Sequence, residues 1–515
     1  MTKKLICAPL ALLALACALD AKSLDKVTTK TGVVKGSMSA DGKVREFKGI
    51  PYAAPPVGPL RWKAPQAVAP WSGVKEATAF GARCMQGNIF GDMAFRDNGP
   101  SEDCLYLNVW SPVAAAKKPL LPVMVWIYGG GYVAGGSSEP RQDGEMLAKK
   151  GVLVVSMNYR LGIFGFFAHP GLAKETGGSG SGNYGLLDQA AALQWVHNNI
   201  KAFGGDPANV TIFGESAGSF SVCGLMASPL TKGLIHQAIG ESGAFFGSSL
   251  AVKPISEAQM AGEKFGASLG ASSIDDLRAK TAADLLQASM KNPMAFGVTV
   301  DGSFFPEDPN AIYAAGKQAH VPLLAGWNAD EGSAQMVFGK DPPSAELYKT
   351  RLHERYKDAA DRLVELYPAA TDEQATQSAG ALASDAFIGY STWKWLEFQR
   401  TTGESTVYRY EFDDAPPTTP SRGAYHSAEI EFVFGALASK NMPWRPDDLK
   451  LSDLMSTYWS NFAKTGDPNG PGLPNWPAFS QSSGNQVMHL SFDSKAMPEQ
   501  NRARYEFMET MFSKK

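Results

Sequence analysis

Continuous apolar, β-rich runs separated by a helical pattern restrict the fold of this chain more than any other feature of its sequence. The runs cover 122–128, 152–157, 210–213, 235–239, 321–325 and 406–412. Continuous hydrophobicity, in contrast to strict alternation, is typical of strands that are covered on both faces. A helical pattern covers 185–200, between the second and third runs. The order strand, helix, strand predicts an α/β fold with a mostly parallel central sheet, helices on both faces and functional residues at the carboxyl ends of the strands.

The composition is that of a globular protein, and the length alone would allow one, two or three domains. The chain has 515 residues, yet no linker separates two independent parts, and the low-complexity patches 177–182 and 416–421 are short enough to be loops. We therefore predict a single domain over residues 22–515. With 19% charged residues and a net charge of -3, nothing in the composition points to nucleic acid or to an anionic membrane surface as a partner.

Residues 1–17 have the pattern of a secretory signal: two lysines, then an apolar run that ends in small residues. We predict a signal peptide over residues 1–21, with cleavage near residues 19–22, and hence a secreted or periplasmic protein. The run is too short to favour an integral membrane span. Lipidation of Cys17 is the alternative, although Ala14 stands where a leucine would be expected.

Three of the five cysteines remain after the signal, at positions 84, 104 and 223. In an oxidising compartment Cys84 and Cys104 could close a loop of about twenty residues, worth on the order of 3 kcal/mol in the chain-entropy model. Cys223 lies among apolar residues, and no histidine is near it in sequence. We interpret it as a buried free thiol.

Ser216 is a candidate nucleophile because it stands between Gly214 and Gly218, directly after the run 210–213. The residues that follow, 217–225, can start a helix. A strand, a glycine-bounded turn and a helix together present a serine hydroxyl above the edge of a sheet. The alternative is an ordinary strand end followed by a turn of small residues.

A serine nucleophile needs a base, and in α/β hydrolases the chain order is nucleophile, acid, base. Of the seven histidines, His426 follows a Pro/Ser/Thr loop and precedes a predicted helix. His353 lies in a charged helical surface pattern, and His489 lies in a predicted strand. His426 is the candidate base, with a loop or capping histidine as the alternative.

The acid that orients such a histidine is sought just after the run 321–325, where Asp330 and Glu331 are adjacent. Either carboxylate would be presented at the carboxyl edge of the sheet, and either could instead cap a helix. The local pattern does not distinguish between them.

The segment Tyr128-Gly-Gly-Gly131 is a candidate oxyanion loop because it ends the run 122–128 and exposes backbone N–H groups without side chains. A flexible surface turn is the alternative, but this loop together with a downstream Gly-x-Ser-x-Gly is rarer than either motif. The sequence contains no Cys/His cluster and no glycine-rich phosphate signature, so we predict neither a metal nor another cofactor.

Two longer segments, 102–110 and 203–218, are similar to the signatures of one enzyme family, and the similarity extends from 47–56 to 461–468. The chain resembles the type B carboxylesterases, which include bacterial para-nitrobenzyl-esterase-like enzymes and cholinesterases. This resemblance implies an α/β-hydrolase fold with large insertions. It also implies a serine carboxylesterase that acts on a small-molecule ester without a cofactor.

The family pattern also assigns roles to individual residues. It makes Ser216 the nucleophile, Glu331 the acid and His426 the base, and it sets Asp330 aside because the family's acid directly precedes a glycine, here Gly332. The implied oxyanion donors are the backbone N–H groups of Gly130, Gly131 and Ala217.

The same resemblance pairs Cys84 with Cys104 in a disulfide bond. It implies that Ser242 supports the triad through hydrogen bonds, with a buried strand-end hydroxyl as the alternative. The carboxylates of Glu102 and Glu215 are then structural or supporting groups.

The chain departs from the cholinesterases between Cys84 and Cys104, where it has no tryptophan to stack on a quaternary ammonium, and Phe95 is a weak substitute. Choline esters are therefore not the favoured substrates. The methionines and phenylalanines of this loop suggest an apolar rim for aryl or alkyl esters, although covering the core would explain them equally well. A lipase, an amidase, a toxin- or polyester-degrading hydrolase, and a non-catalytic adhesion protein are the alternatives; adhesion proteins of this kind lose the nucleophile.

Overall fold

An eleven-stranded sheet forms the centre of the structure, a computed structural model that describes residues 25–116, 119–178, 180–247 and 249–512. In chain order the strands are β1 (Ser37–Met38), β2 (Val44–Pro51), β3 (Tyr106–Pro112), β4 (Leu121–Ile127), β5 (Leu153–Met157), β6 (Gly205–Glu215), β7 (Gln237–Glu241), β8 (Leu323–Asn328), β9 (Val407–Phe412), β10 (Gln486–Leu490) and β11 (Lys495–Pro498). Their order across the sheet is 1-2-3-5-4-6-7-8-9-10-11. The strands from β5 to β10 pair in parallel, and the outer strands β1 to β3 and β11 pair antiparallel.

Helices pack against this sheet and fill the insertions between its strands. The α-helices are α1 (Glu145–Lys149), α2 (Gly162–Phe166), α3 (Pro170–Glu175), α4 (Tyr184–Asn199), α5 (Ala217–Ala227), α6 (Ile255–Ser268), α7 (Ile274–Arg278), α8 (Ala282–Ser289), α9 (Pro309–Ala314), α10 (Gln335–Phe338), α11 (Ala345–Tyr356), α12 (Ala360–Leu366), α13 (Asp372–Ser384), α14 (Tyr390–Thr401), α15 (Ile430–Phe434), α16 (Pro446–Thr465) and α17 (Arg502–Phe512). A π-helical turn, Asp385–Gly389, joins α13 to α14. Among the described helices, none has the length and hydrophobicity needed to cross a membrane.

Smaller elements lie outside the main sheet. Short strand pairings join Lys26–Thr28, Val33–Lys35 and Val74–Glu76 into one sheet, Lys253–Pro254 to Thr299–Val300, and Arg83–Cys84 to Pro100–Ser101. The 3₁₀ turns are Gly58–Leu60, Val113–Ala116, Pro140–Gln142, Ile200–Phe203, Pro229–Thr231, Pro293–Ala295, Lys357–Ala359, Leu437–Ser439 and Gln481–Ser483.

The predicted α/β fold with a mostly parallel sheet is confirmed, and each of the six apolar runs overlaps a strand. All five residues of β5 are buried, as continuous hydrophobicity requires of a strand covered on both faces. The predicted helix at 185–200 is α4, which begins one residue earlier and ends at Asn199. A 3₁₀ turn follows it and is capped by Gly204, where φ is 94°. The predicted signal peptide lies outside the described residues.

The loop between Cys84 and Cys104 is closed at its base by the predicted disulfide bond, which is formed in the structure. Glu102 accepts two hydrogen bonds of 2.6 Å from the Arg61 guanidinium, so its carboxylate has a structural role. Phe95 packs against Arg83, with 4.5 Å from the ring centre to the guanidinium carbon. Cys223 is buried and free, and burial raises the pKa of its thiol to about 12.

Candidate active site

Three parallel strands bring the predicted triad residues to one edge of the sheet. Ser216 directly follows β6, Glu331 lies three residues beyond β8, and His426 lies in the segment that follows β9. Because β6 to β9 are parallel neighbours, their carboxyl ends lie at the same edge. Residues that are 115 and 210 positions apart in sequence therefore meet at one site.

Ser216 occupies a strained turn between β6 and α5. Its φ of 53° and ψ of -124° lie outside the regions that non-glycine residues commonly adopt. Its backbone N–H donates to the carbonyl oxygen of Glu241 on β7, at 2.8 Å. A Cβ on Gly218 would lie 2.0 Å from the carbonyl oxygen of Ile127, so only glycine allows α5 to pack this closely on β4. The turn holds the serine hydroxyl above the sheet.

The three predicted side chains form one hydrogen-bonded chain. Ser216 Oγ lies 2.9 Å from His426 Nε2, and His426 Nδ1 lies 2.5 Å from Glu331 Oε2. The other carboxylate oxygen of Glu331 accepts from Ser242 Oγ at 2.5 Å and from the backbone N–H of Asn328 at 2.8 Å. Glu331 is thus held by two donors beside His426 Nδ1. When the imidazole is neutral with its proton on Nδ1, Glu331 accepts that proton's hydrogen bond and Nε2 is free to accept from the serine.

Asp330, the neighbour of Glu331, contacts the histidine loop instead of the histidine. Its Oδ2 accepts from the backbone N–H of Ala424 at 2.8 Å, and its own N–H donates to the carbonyl oxygen of Ala424 at 3.0 Å. A β-bridge to Tyr425 continues this contact. Asp330 therefore ties the segment that carries His426 to the end of β8.

The glycine turn after β4 lies beside the serine. Gly130 has a φ of 99°, and a Cβ there would lie 2.2 Å from the carbonyl oxygen of Ala134. A Cβ on Gly129 would lie 2.9 Å from the Cβ of Ser216, which shows how closely the two turns approach. Ala217 is the first residue of α5, where backbone N–H groups have no acceptor within the helix. The predicted oxyanion donors are thus next to the nucleophile.

A cavity of about 560 Å³ opens over these groups. Its apolar lining comes from Phe90, Met93, Phe220, Leu250, Met294, Phe387 and Ile388. Its polar lining, apart from the groups already described, comes from Asp92, Glu139, Arg141, Gln142, Glu215, Ser249, Arg422 and Ser427. Phe90 and Met93 of the disulfide loop form part of the wall, whereas Phe95 contacts Arg83.

Phe387 contacts the candidate base and was not found from the sequence. Its ring meets the His426 imidazole edge-on, with 5.3 Å between ring centres and an interplanar angle of 67°. It lies on the π-helical turn Asp385–Gly389, and such turns often occur at functional sites. No short motif marks this position, because the contact depends on the packing of distant helices.

Four buried glutamates, at positions 215, 241, 331 and 429, form a cluster that includes the candidate base, and three of them, all except Glu241, act on His426 directly. Burial raises the pKa of Glu215 to about 7 and that of Glu241 to about 8, and it raises the pKa of Glu429 well above its usual value. Trp459 Nε1 donates to Glu241 at 2.7 Å, and Asn328 Nδ2 donates to Glu429 at 2.5 Å. The sequence analysis identified Glu215 and Glu331 but missed the other two. In the sequence, Glu241 directly precedes Ser242 and Glu429 follows His426 by three residues, and these positions were the available signs of a role at the site.

The carboxylates change the acidity of His426. Burial alone would lower the pKa of the imidazole, but the negative charges of Glu215 and Glu331 outweigh it and raise the pKa to about 10. Glu215 Oε1 is 3.3 Å from His426 Nε2. Because the charges of Glu215 and His426 act on each other, the pH dependence of one cannot be separated from that of the other. The net effect is that the His426 imidazole keeps its proton to a higher pH than a free histidine does.

We expect Glu215→Gln to move the acidic limb of the kcat/KM profile to lower pH. His426 can accept a proton only when it is neutral, that is above its pKa, and removal of the Glu215 charge lowers that pKa. The measurement is kcat/KM for an uncharged ester across the pH range, for wild type and variant. Glu411→Gln is the matched control, because that carboxyl group interacts with Arg409 and His489 instead. An acidic limb that stays in place or moves to higher pH would contradict the assignment.

Among the described residues, no group of three or more His, Cys, Asp or Glu side chains is arranged to hold a metal ion.

Comparison with known proteins gives one consistent result. The family model described as the carboxylesterase family matches residues 23–508. Fumonisin B1 esterase of Sphingopyxis macrogoltabida is 37% identical over 469 residues, covering 88% of this chain and 84% of that protein. Para-nitrobenzyl esterase of Bacillus subtilis is 38% identical over 469 residues, covering 88% and 92%. A solved structure of PNB esterase superposes with a TM-score of 0.82 at 35% identity, covering 94% of this chain and 99% of that one.

Proposed function

The chain belongs to the carboxylesterase family and is a carboxylic ester hydrolase, and we propose that it hydrolyses small-molecule esters through an acyl-enzyme on Ser216. The observation that supports this mechanism best is the hydrogen-bonded chain from Ser216 through His426 to Glu331, with distances of 2.9 and 2.5 Å. The 2.9 Å distance is within the range for a nucleophile and its base, and the shorter contact is between that base and a carboxylate able to orient it.

In the first half of the reaction Ser216 Oγ attacks the ester carbonyl carbon while His426 Nε2 takes the hydroxyl proton. The carbonyl oxygen becomes an oxyanion, which accepts hydrogen bonds from the N–H groups of Gly130, Gly131 and Ala217. Each such donor is worth about 3 to 4 kcal/mol in the transition state. The bond to the alcohol oxygen then breaks, and His426 protonates the alcohol as it leaves. The acyl group stays on Ser216.

In the second half water replaces the alcohol. His426 takes a proton from the water, the hydroxide attacks the acyl carbon, and the same N–H groups stabilise the second oxyanion. The bond to Ser216 Oγ breaks, the serine regains its proton from His426, and the carboxylic acid leaves. Glu331 holds the imidazole in the required tautomer throughout, and Ser242 holds Glu331.

The cavity supports aryl and alkyl esters as substrates. Its apolar side chains come from the disulfide loop, from α5 and from the π-helical turn, so hydrocarbon groups can be buried on several sides. The relatives act, by their names, on para-nitrobenzyl and fumonisin B1 esters. Esters of those two kinds therefore belong in a first substrate panel for this protein.

A fluorophosphonate probe tests the nucleophile directly. We expect one equivalent to abolish esterase activity and to form one adduct, on the peptide that contains Ser216. Ser219 and Ser221 provide an internal control in the same region, because both are fully buried on α5 and bonded to other groups. An adduct on another residue, or inactivation without an adduct on this peptide, would contradict the proposal.

We also propose that the protein is exported, with a signal peptide over residues 1–21 and the catalytic domain over 22–515. The Cys84–Cys104 disulfide supports this, since such bonds persist in oxidising compartments. The peptide map from the labelling experiment reads out both features: a mature N-terminus near residues 19–22 and a bonded cysteine pair. A lipid adduct on Cys17 would indicate anchoring, and alkylation of native Cys84 and Cys104 would contradict export.

A further inference from the structure

Arg141 brings a buried cation to the wall of the catalytic cavity. It lies in the 3₁₀ turn Pro140–Gln142, and only 6% of it is exposed. Its Nε donates to Glu139 Oε2 at 2.8 Å. Within the part of the chain that the structure describes, its buried Nη1 has no hydrogen-bond partner. A buried donor without an acceptor is unfavourable, so this atom needs an explanation.

The acid that forms an ion pair with that nitrogen is Asp92 of the disulfide loop. The distance from Arg141 Nη1 to Asp92 Oδ2 is 3.5 Å, which is too long for a good hydrogen bond. The Asp92 side chain is 50% exposed and lines the same cavity. It can therefore turn toward water at little cost, and a substrate atom can take its place beside Nη1.

Arg141 is connected through Glu215 to the side of the cavity where the alcohol leaves. Glu215 is 3.3 Å from His426 Nε2, the nitrogen that protonates the leaving alcohol, and the Arg141 charge acts on Glu215, lowering its pKa against the effect of burial. By contrast, Met294 lies at the oxyanion turn, with its methyl carbon 3.0 Å from the position of a Cβ on Gly131. Arg141 and Met294 are thus associated with different parts of the wall, one through Glu215 and the other at Gly131.

We infer that Arg141 is a specificity-determining residue, which donates a hydrogen bond to an uncharged oxygen in the alcohol part of the ester. This inference rests on the proposed function, because the leaving-group side is defined by Ser216 and His426. The substrate class is esters whose alcohol part carries a hydroxyl, ether or carbonyl oxygen.

The acidic side chains around Arg141 favour an uncharged oxygen of the substrate, and not a carboxylate, as the hydrogen-bond acceptor. Glu139, Asp92 and Glu215 all act on the guanidinium, and Glu431 acts on it as well but has its own ion pair with Lys440 at 2.6 Å. A substrate carboxylate would enter among these acids and be repelled by them. A neutral oxygen gains the hydrogen bond to a charged donor without that repulsion.

The test compares esters that differ only in one or two oxygens of the alcohol. The first pair is butyl acetate and 2-methoxyethyl acetate, and the second is heptyl acetate and 2-(2-methoxyethoxy)ethyl acetate. The ether preference is the ratio of kcat/KM within a pair, per active site titrated with the fluorophosphonate. Dividing the wild-type preference by that of a variant cancels the intrinsic reactivity of each ester.

The main variant combines Arg141→Met with Glu139→Gln. The second change is included because Glu139 would otherwise be a buried carboxylate that has lost its ion pair with Arg141. We expect its ether preference to be roughly tenfold lower than that of wild type in at least one pair, as for loss of a hydrogen bond to a charged donor. Arg141→Lys, a milder change, should lose part of the preference, and it tests the inference even if the double variant does not fold. Arg422→Met is the matched control, because Arg422 lines the same cavity but lies over the Tyr425 ring.

An unchanged ether preference in both pairs would overturn the inference while leaving the proposed function intact. An equal loss in Arg422→Met would also overturn it, because the effect would then not belong to Arg141. A wild-type protein without a titratable serine would overturn the proposed function, and the inference with it.

Discussion

Replacing Ser216 by alanine is expected to lower kcat for p-nitrophenyl acetate by a factor on the order of 10⁵ to 10⁶. Alanine removes the hydroxyl oxygen that lies 2.9 Å from His426 Nε2, and leaves the oxyanion N–H groups in place. Those groups continue to stabilise attack by water, so a weak residual rate above the uncatalysed reaction is expected. The measurement is steady-state kcat, followed by circular dichroism to confirm that the variant is folded.

Ser219→Ala is the matched control for this experiment. Ser219 is three residues along α5 and fully buried, and its Oγ donates to the carbonyl oxygen of Gly243 at 2.6 Å. Its loss should affect stability by about 1 kcal/mol and leave the chemical step largely in place. Turnover retained in Ser216→Ala, or a comparable loss of kcat in Ser219→Ala, would refute the assignment of the nucleophile.

The buried parallel strands of the fold could be predicted, because a short run of hydrophobic, β-forming residues indicates both a strand and its burial. The run 210–213 consists of apolar residues and one β-branched threonine, and it lies inside β6, which has a neighbouring strand on each side in the sheet. The antiparallel strands β2 and β3 were not predicted, since their sequences mix polar and apolar residues, as in Val44-Arg-Glu-Phe-Lys-Gly-Ile-Pro51. The sheet order, in which β5 lies outside β4, depends on long-range packing that no local pattern encodes.

The candidate site divides in the same way. Ser216 and the glycine turn could be located because a strand, a glycine and a helix start leave a local signature. His426 and Glu331 needed the family resemblance, and the hydrogen bonds of Asp330 show why: both adjacent acids are used at this edge of the sheet, for different purposes. Arg141 and Phe387 reach the cavity only through the packing of distant segments, so their sequence positions carry no sign of it.

Glu331→Gln is expected to lower kcat by about 10⁴, and Asp330→Asn by less than about tenfold. Glu331 Oε1 accepts from Ser242 Oγ and from the N–H of Asn328, so a glutamine would place its carbonyl oxygen there. Its NH₂ group would then face His426 Nδ1, where it can only donate. That arrangement favours the tautomer with its proton on Nε2, which cannot accept the proton of Ser216.

Asparagine at position 330 keeps an oxygen that can accept from the N–H of Ala424, so the histidine loop should stay tied to β8. The two variants differ by one position in sequence and both remove one carboxylate charge, which makes each the control for the other. Steady-state kcat for p-nitrophenyl acetate, with thermal melting to compare stability, distinguishes them. A larger loss in Asp330→Asn would place the acid at 330. If Asp330 only holds the histidine loop, removing its charge should not change which nitrogen of His426 carries the proton.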